Sequence, residues 1–338
     1  MAIRALRFFH VSHLNPAEAA RITNGEALCE PGGDYESLHK QLKRLFNAKP
    51  GKRYGRFSED IGEAPLSSWL KDYLEEKQTF ERFSESVSGQ LGHLFDNNDL
   101  EHEGPLLLVH ETLADGEVIY LFALEQDSSL CLTGNLALDA TDTLSLSRLN
   151  LAIRIEVDEW LREGGDNYLT FFKGRGTADW GDLFEKLVGF SNQVDVDKET
   201  QTFLDAVESF ARESDDEQAQ TVRNRAFEFC RDQSSLGEPV PIDALSSYID
   251  ESNPERFSEF VNESQSLSAD TVLHPDQRKV RKLVRISGRG HGMSLSFSSD
   301  LVNQGVHYDP SQDALIITKL PKSLKEQLQT YLESKAEE

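Results

Sequence analysis

LLLVHETLADGEVIYLFAL, residues 106–124, places two apolar runs on either side of Ala114-Asp115-Gly116. A short turn sequence between two strand-like runs is a hairpin pattern, and this is the strongest such signal in the chain. It predicts two antiparallel strands, and hence a sheet around which the rest must be arranged.

Working outward, LSLSRLNLAIRIEV (144–157) largely alternates apolar and polar residues, as a strand does. NYLTFFKGRGTADW (167–180) reads as a strand, a glycine loop carrying Lys173 and Arg175, and a helix start, with helix expected from about 178 to 190. Upstream, residues 3–14 and 26–30 are apolar pieces around a Thr23-Asn24-Gly25 turn and read as a strand pair. PGGD (31–34) puts Asp34 in an N-cap position, and Tyr35, Leu38, Leu42, Leu45 and Phe46 then recur with helical spacing until Pro50-Gly51. Leu66 to Leu94 reads as a helix with its apolar stripe interrupted near Lys77.

From Asp197 to Glu263 strand signals give way to helical periodicity, with acidic runs such as ESDDEQ (213–218) between helices. Strands return in VRKLVRIS, MSLSF, VHYD and ALIITKL, and a last helix is expected over Ser323–Leu332. The expectation is an α+β protein with a mixed or antiparallel sheet and packed helices over 1–190. A helical connector or subdomain follows over 191–270, and a small C-terminal β unit with a terminal helix over 271–338, packed back on the first domain.

The 338 residues include 19 Phe and 3 Trp, too many core formers for a disordered chain. Cys29, Cys131 and Cys230 lie far apart and odd in number, which suggests neither a disulfide framework nor a zinc site and fits a reducing compartment. The N-terminal MAIRALRFFHVSHLNP lacks the apolar core of a signal peptide, and no run of 18 apolar residues occurs; a soluble intracellular protein, without a membrane partner, is expected.

Net charge is -24, which alone argues against a polyanion as ligand. The cations are segregated, however. Ser37–Ser58 holds Lys40, Lys43, Arg44, Lys49, Lys52, Arg53 and Arg56 with no acid, and Gln277–Phe297 holds Arg278, Lys279, Arg281, Lys282, Arg285 and Arg289, again with none. With Lys173 and Arg175 these make 15 of the 35 basic residues, leaving 20 against 59 acidic residues elsewhere. Charge is screened over about 8 Å at physiological salt, while a compact chain of this length has a radius of gyration of about 20 Å. A basic face can therefore act locally on an acidic protein.

The KGRGT loop lacks the spacing of a P-loop and has no third glycine at dinucleotide-fold spacing, so a nucleotide cradle is not expected; a plain turn and a phosphate contact both stay open. SGRGHGM (287–293) alternates glycines beside Arg285, Arg289 and His291, and nucleic-acid backbone contact is preferred over a purely structural hairpin. Residues 241–263 superficially suggest a helix-turn-helix, but Glu255, Glu259 and Glu263 on the second helix argue against a phosphate-facing element. Tyr54 and Phe57 read as packing residues before base-stacking ones. His10 and His13 lack metal-site context, no nucleophile motif stands out, and neither a catalytic residue nor a cofactor is expected.

AKPGKRYGRFSED (48–60), IRIEVDEWLREGGDNYLTFFKGRG (153–176) and KLVRISGRGHGMSLSF followed by HYDPSQDALIITKLPKSLKEQL resemble the bacterial nucleoid-associated protein family NdpA/YejK in order, spacing and total length. YLTF-x-KGR is the most specific element. The resemblance implies a cytoplasmic, nucleoid-located, DNA-associated protein without an established enzymatic activity, with type II topoisomerases as partners. It supplies no catalytic or base-reading residues; Arg289 and His291 interrupt a segment that is a purer glycine run in other members.

The sequence thus suggests non-catalytic, largely sequence-independent binding of DNA, with RNA as the alternative polyanion, through Lys49, Lys52, Arg53, Arg56, Lys173, Arg175, Arg278, Lys279, Arg281, Lys282, Arg285 and Arg289. The competing reading is an acidic adaptor that docks a topoisomerase and meets DNA only indirectly; an unrecognised nuclease or nucleotide-handling enzyme is a third. A homodimer would double the basic area, though no heptad or self-complementary pattern marks one.

Overall fold

The computed structural model describes residues 2–60, 65–114, 116–177, 179–192, 194–264, 267 and 271–336. The fold is α+β, and the chain forms two compact units: Met1–Glu199 with Gln233–Glu238, and Thr200–Asp232 with Pro239–Glu338.

The first unit is built on one antiparallel sheet. Its elements in chain order are β1 (Ala2–His13), β2 (Arg21–Asn24), β3 (Leu28–Cys29), α1 (Asp34–Ala48), β4 (Arg53–Phe57), α2 (Leu66–Leu74), α3 (Phe80–Asp96), β5 (His102–Thr112) and β6 (Glu117–Ala123). There follow β7 (Gln126–Leu132), β8 (Leu138–Leu144), β9 (Leu151–Glu156), α4 (Val157–Leu161), β10 (Leu169–Lys173), α5 (Gly181–Val188) and β11 (Phe190–Asn192). The sheet order is β11-β4-β10-β9-β6-β5-β1-β2, with β3 also on β1, while β7 and β8 pair only with each other.

Residues 106–124 supply the central β5–β6 hairpin, with Leu106 opposite Ala123 and Thr112 opposite Glu117; Asp115 of its turn lies outside the described residues. Side chains alternate across a strand, so Leu106, Leu108, Ile119 and Leu121 enter one core, and Leu107, Val109, Val118, Tyr120 and Phe122 enter the other. Helices α2, α3 and α5 cover the first face and α1 the second, through Leu42 and Phe46. Burial on both faces is why these strands read as unbroken apolar runs rather than as alternation.

Local expectations change at several points: Thr23 and Asn24 of the expected turn lie in β2, and residues 280–283 of the strand expected in VRKLVRIS are helical. The helix expected over 66–94 is two helices, because Glu76 takes a left-handed backbone (φ 57°) and Thr79 restarts the chain by accepting from the Arg82 amide at 3.3 Å. The strand expected over 144–157 is confined to β9, since 145–150 turn back from β8 and Arg148 pairs with Asp127 at 3.1 Å. Asp34 begins α1 without capping it; Gly33, at φ 66°, holds the N-cap position, and Asp34 and Glu36 favour the positive end of the helix dipole from the first turn.

The second unit takes most of α6 (Val196–Ala211) and α7 (Asp216–Leu236), then β12 (Val240–Pro241), α8 (Ile242–Ile249), α9 (Arg256–Glu263), β13 (Val272–Leu273) and α10 (Gln277–Val280). Phe203, Phe210, Ala226, Leu245, Phe257 and Val261 build its core. Ser246 joins α8 to α9 by accepting from the Phe257 and Ser258 amides at 3.1 and 3.0 Å, and α9 turns Phe257 and Val261 inward, leaving Glu259 and Glu263 exposed. Beyond it lie β14 (Arg285–Gly290), β15 (Met293–Ser298), β16 (Val306–Asp309), β17 (Ala314–Ile317) and α11 (Lys322–Ala336). Among the described residues no helix is long and apolar enough to cross a membrane.

Candidate nucleic-acid interface

In the first unit the counted cations are largely engaged by the fold. The Lys49 ammonium stands 5.5 Å from the centre of the Phe172 ring. Lys52 donates to the carbonyls of Phe46 (3.2 Å) and Asn47 (2.7 Å), satisfying the end of α1, and burial together with the charge of Arg154 lowers its pKa to about 8. Arg53 pairs with Glu185 and stacks between Phe171 and Phe190, 5.1 and 5.0 Å from their ring centres. Arg56 is exposed, 3.6 Å from Glu59.

Lys173 pairs with Asp182 and lies 3.7 Å from Glu185, so β4 and β10 bring Arg53 and Lys173 to the same carboxylate. The loop after Lys173 is a tight turn: Gly174 N–H donates to the Asn150 carbonyl at 2.6 Å, and the Thr177 hydroxyl donates to the Gly174 carbonyl at 2.8 Å. A Cβ at Gly174 would sit 3.1 Å from that Asn150 oxygen, which accounts for the glycine. The Arg175 side chain lies outside the described residues. Phe57 is buried between Trp160 and Tyr168 and donates its amide to the Tyr168 hydroxyl, a packing role.

The second unit presents its cations differently. Asp276 caps α10 by accepting from the Arg278 amide at 2.7 Å, Val280 and Leu283 anchor the segment in the core, and Arg278, Arg281 and Lys282 are left on the exposed side. Lys279 is half-buried and engaged. Val284 then leads into β14, which pairs with β15 alone. Arg285 reaches across to the Ser296 hydroxyl at 3.0 and 3.2 Å, and Arg289 is exposed near the turn. Among the described residues, Arg278, Arg281, Lys282, Arg285 and Arg289 form no ion pair. The stretch from Gln277 to Phe297 itself contains no acid.

The β14–β15 register sorts the segment into two faces. Arg285, Ser287 and Arg289 stand opposite Ser298, Ser296 and Ser294; Ile286, Gly288 and Gly290 stand opposite Phe297, Leu295 and Met293. The serine side of this ribbon and its apolar back were not singled out from the sequence, although R-x-S-x-R and S-x-S-x-S at period two carry the signal. His291 and Gly292 make the two-residue turn with φ of 50° and 76°, the geometry of a type I′ hairpin, so SGRGHGM is a tight connection.

Among the described residues no group of three or more His, Cys, Asp or Glu is placed to hold a metal ion. His13 is held by the Leu100 and Glu18 carbonyls at 2.6 and 3.1 Å, a structural role.

Residues 10–325 match the family described as nucleoid-associated protein YejK. A nucleoid-associated protein of Pseudomonas putida (strain GB-1) is 33% identical over 297 residues, covering 87% of this chain and 88% of that relative. Nucleoid-associated proteins of Azotobacter vinelandii (strain DJ / ATCC BAA-1303) and Pseudomonas paraeruginosa (strain DSM 24068 / PA7) are 32% and 31% identical over the same length, covering 87% of this chain and 88% and 86% of theirs. With the match spanning both units, the chain belongs to the YejK family of bacterial nucleoid-associated proteins.

Proposed function

We propose that the protein binds nucleoid DNA without catalysis and largely without sequence preference, through phosphate contacts made chiefly by the second unit. The observation that carries this reading is the run Arg278, Arg281, Lys282, Arg285 and Arg289, exposed and free of ion pairs among the described residues. Cations left without carboxylate partners in a chain of net charge -24 are available to an outside polyanion, and each phosphate neutralised releases counterions. Lys49 and Arg56 of the first unit, and Arg175 by its sequence position, complete the proposed contact set.

A salt titration of duplex binding tests it. Replacing Arg278, Arg281 and Lys282 by Ala is expected to flatten the slope of log K against log salt by about 2.7. An unchanged slope removes this segment from the interface.

A second reading, an adaptor that docks type II topoisomerases and meets DNA indirectly, is favoured by the large apolar side chains exposed in the second unit: Tyr308 (60%), Ile316 (54%) and Leu332 (64%). Partner capture that survives nuclease digestion, with no shift of purified DNA at low salt, supports this reading over the first.

A further inference from the structure

We infer that the β14–β15 ribbon enters the major groove of duplex DNA with its arginine-serine face toward the base edges, and that the protein therefore prefers duplex DNA to duplex RNA. This rests on the DNA-binding reading above and specifies its geometry. Four observations carry it.

First, the ribbon is an arm. β14 pairs with β15 and with no other strand among the described residues, every residue of β14 is exposed, and Met293 to Ser296 of β15 are exposed as well. Two strands about 4.8 Å apart fit a major groove about 12 Å wide, whereas a minor groove of about 6 Å does not admit them flat.

Second, the chemistry of one face matches what the groove floor offers. Arg285 and Arg289 lie about 13 Å apart along the strand, close to four base-pair steps of about 3.4 Å. Arginine donates to guanine O6 and N7, and serine donates or accepts, so Ser287, Ser294 and Ser296 suit any base. No carboxylate shares the face.

Third, the arm is stiff where it must be. The Arg285–Ser296 hydrogen bonds tie the strands across that face, and the His291-Gly292 turn has the twist of the strands it joins.

Fourth, Gly288 and Gly290 are not required by the protein's own fold. Neither has positive φ, and a Cβ on either would meet nothing within 4 Å. Glycine weakens an exposed strand and recurs where another backbone approaches closely. Both lie on the back of the ribbon, opposite Arg285 and Arg289, so their missing side chains thin the arm on the side that faces the mouth of the groove.

A-form RNA has a deep, narrow major groove that side chains do not read. The same ribbon is therefore excluded from duplex RNA.

The test compares the full chain on three duplexes of one sequence: DNA, DNA whose cytosines carry glucosylated 5-hydroxymethyl groups that fill the major groove without altering the phosphates, and RNA. Binding is expected to weaken by about tenfold or more on the second and third. R285A/R289A, a change at exposed positions, should bind unmodified and glucosylated DNA alike. Equal wild-type affinity for those two DNAs overturns the groove assignment while leaving phosphate binding in place. Failure to bind any of the three at low salt overturns the DNA-binding reading itself.

Discussion

Lys43 donates to both carboxylate oxygens of Glu111, at 2.8 and 2.7 Å, across 68 residues of sequence. Glu111 is 2% exposed in the middle of the sheet, and His39 Nε2 stands 3.2 Å from it. Burial opposes its ionisation, but the neighbouring His39 ring and the Lys43 ammonium outweigh burial and hold the carboxyl below its ordinary value. A residue that counts by sequence as part of a basic surface thus belongs to the core.

Lys43→Met leaves a buried carboxylate without its cation, and a loss of about 3 to 5 kcal/mol is expected in denaturant unfolding. Adding Glu111→Gln should restore most of it. A single variant as stable as wild type shows the pair to be dispensable.

Lys173→Ala and Arg53→Ala remove cations that face Glu185. In a DNA salt titration each should change the slope by less than about 0.5, whereas each Ala at Arg278, Arg281 or Lys282 should lower it by about 0.9. A slope that follows Lys173 instead would move the interface to the first unit.

Lys52 titrates near 8 in the folded chain and near 10.5 when unfolded. Between these values the unfolded state holds more protons, so stability rises with pH from about 8 to 10.5. Urea unfolding across that range should show this limb in the wild type and lose it in Lys52→Met.

His102 and His110 are both held down to about 4: burial is the main cause, joined at His102 by the nearby His10, and at His110 burial outweighs the pull of Glu117. The His110 ring is also fixed 2.8 Å from the Tyr73 hydroxyl. Below their ordinary 6.5 the unfolded chain takes up protons that the folded chain refuses, so stability falls as pH drops from 6.5 to about 4. His102→Phe, which keeps an aromatic ring between Phe95 and Trp180, should flatten that limb. Thermal melts between pH 4 and 7 measure it.

Residues 106–124 made the central hairpin legible because strand pairing there is local and its turn lies between the two runs. The Lys77 interruption was legible as a break in periodicity, but not as two separate helices, since Glu76 in a left-handed conformation is invisible to an apolar count. The basic run 277–297 was equally plain, whereas the period-two sorting of its arginines from its apolar residues needed the β14–β15 register.

Composition and spacing by themselves determined the α+β class, the central hairpin and the segregation of charge, because each depends on neighbours within a few turns or on order along the chain; the family came from resemblance to known members. Which cations stay free was decided only by tertiary structure. Glu111, Glu185 and Asp182 reach Lys43, Arg53 and Lys173 through the packing of strands and helices far apart or reversed in sequence, while the segment after Asp276 folds where no carboxylate follows it. Coulomb attraction depends on distance in space, and for these side chains that distance is set by the fold.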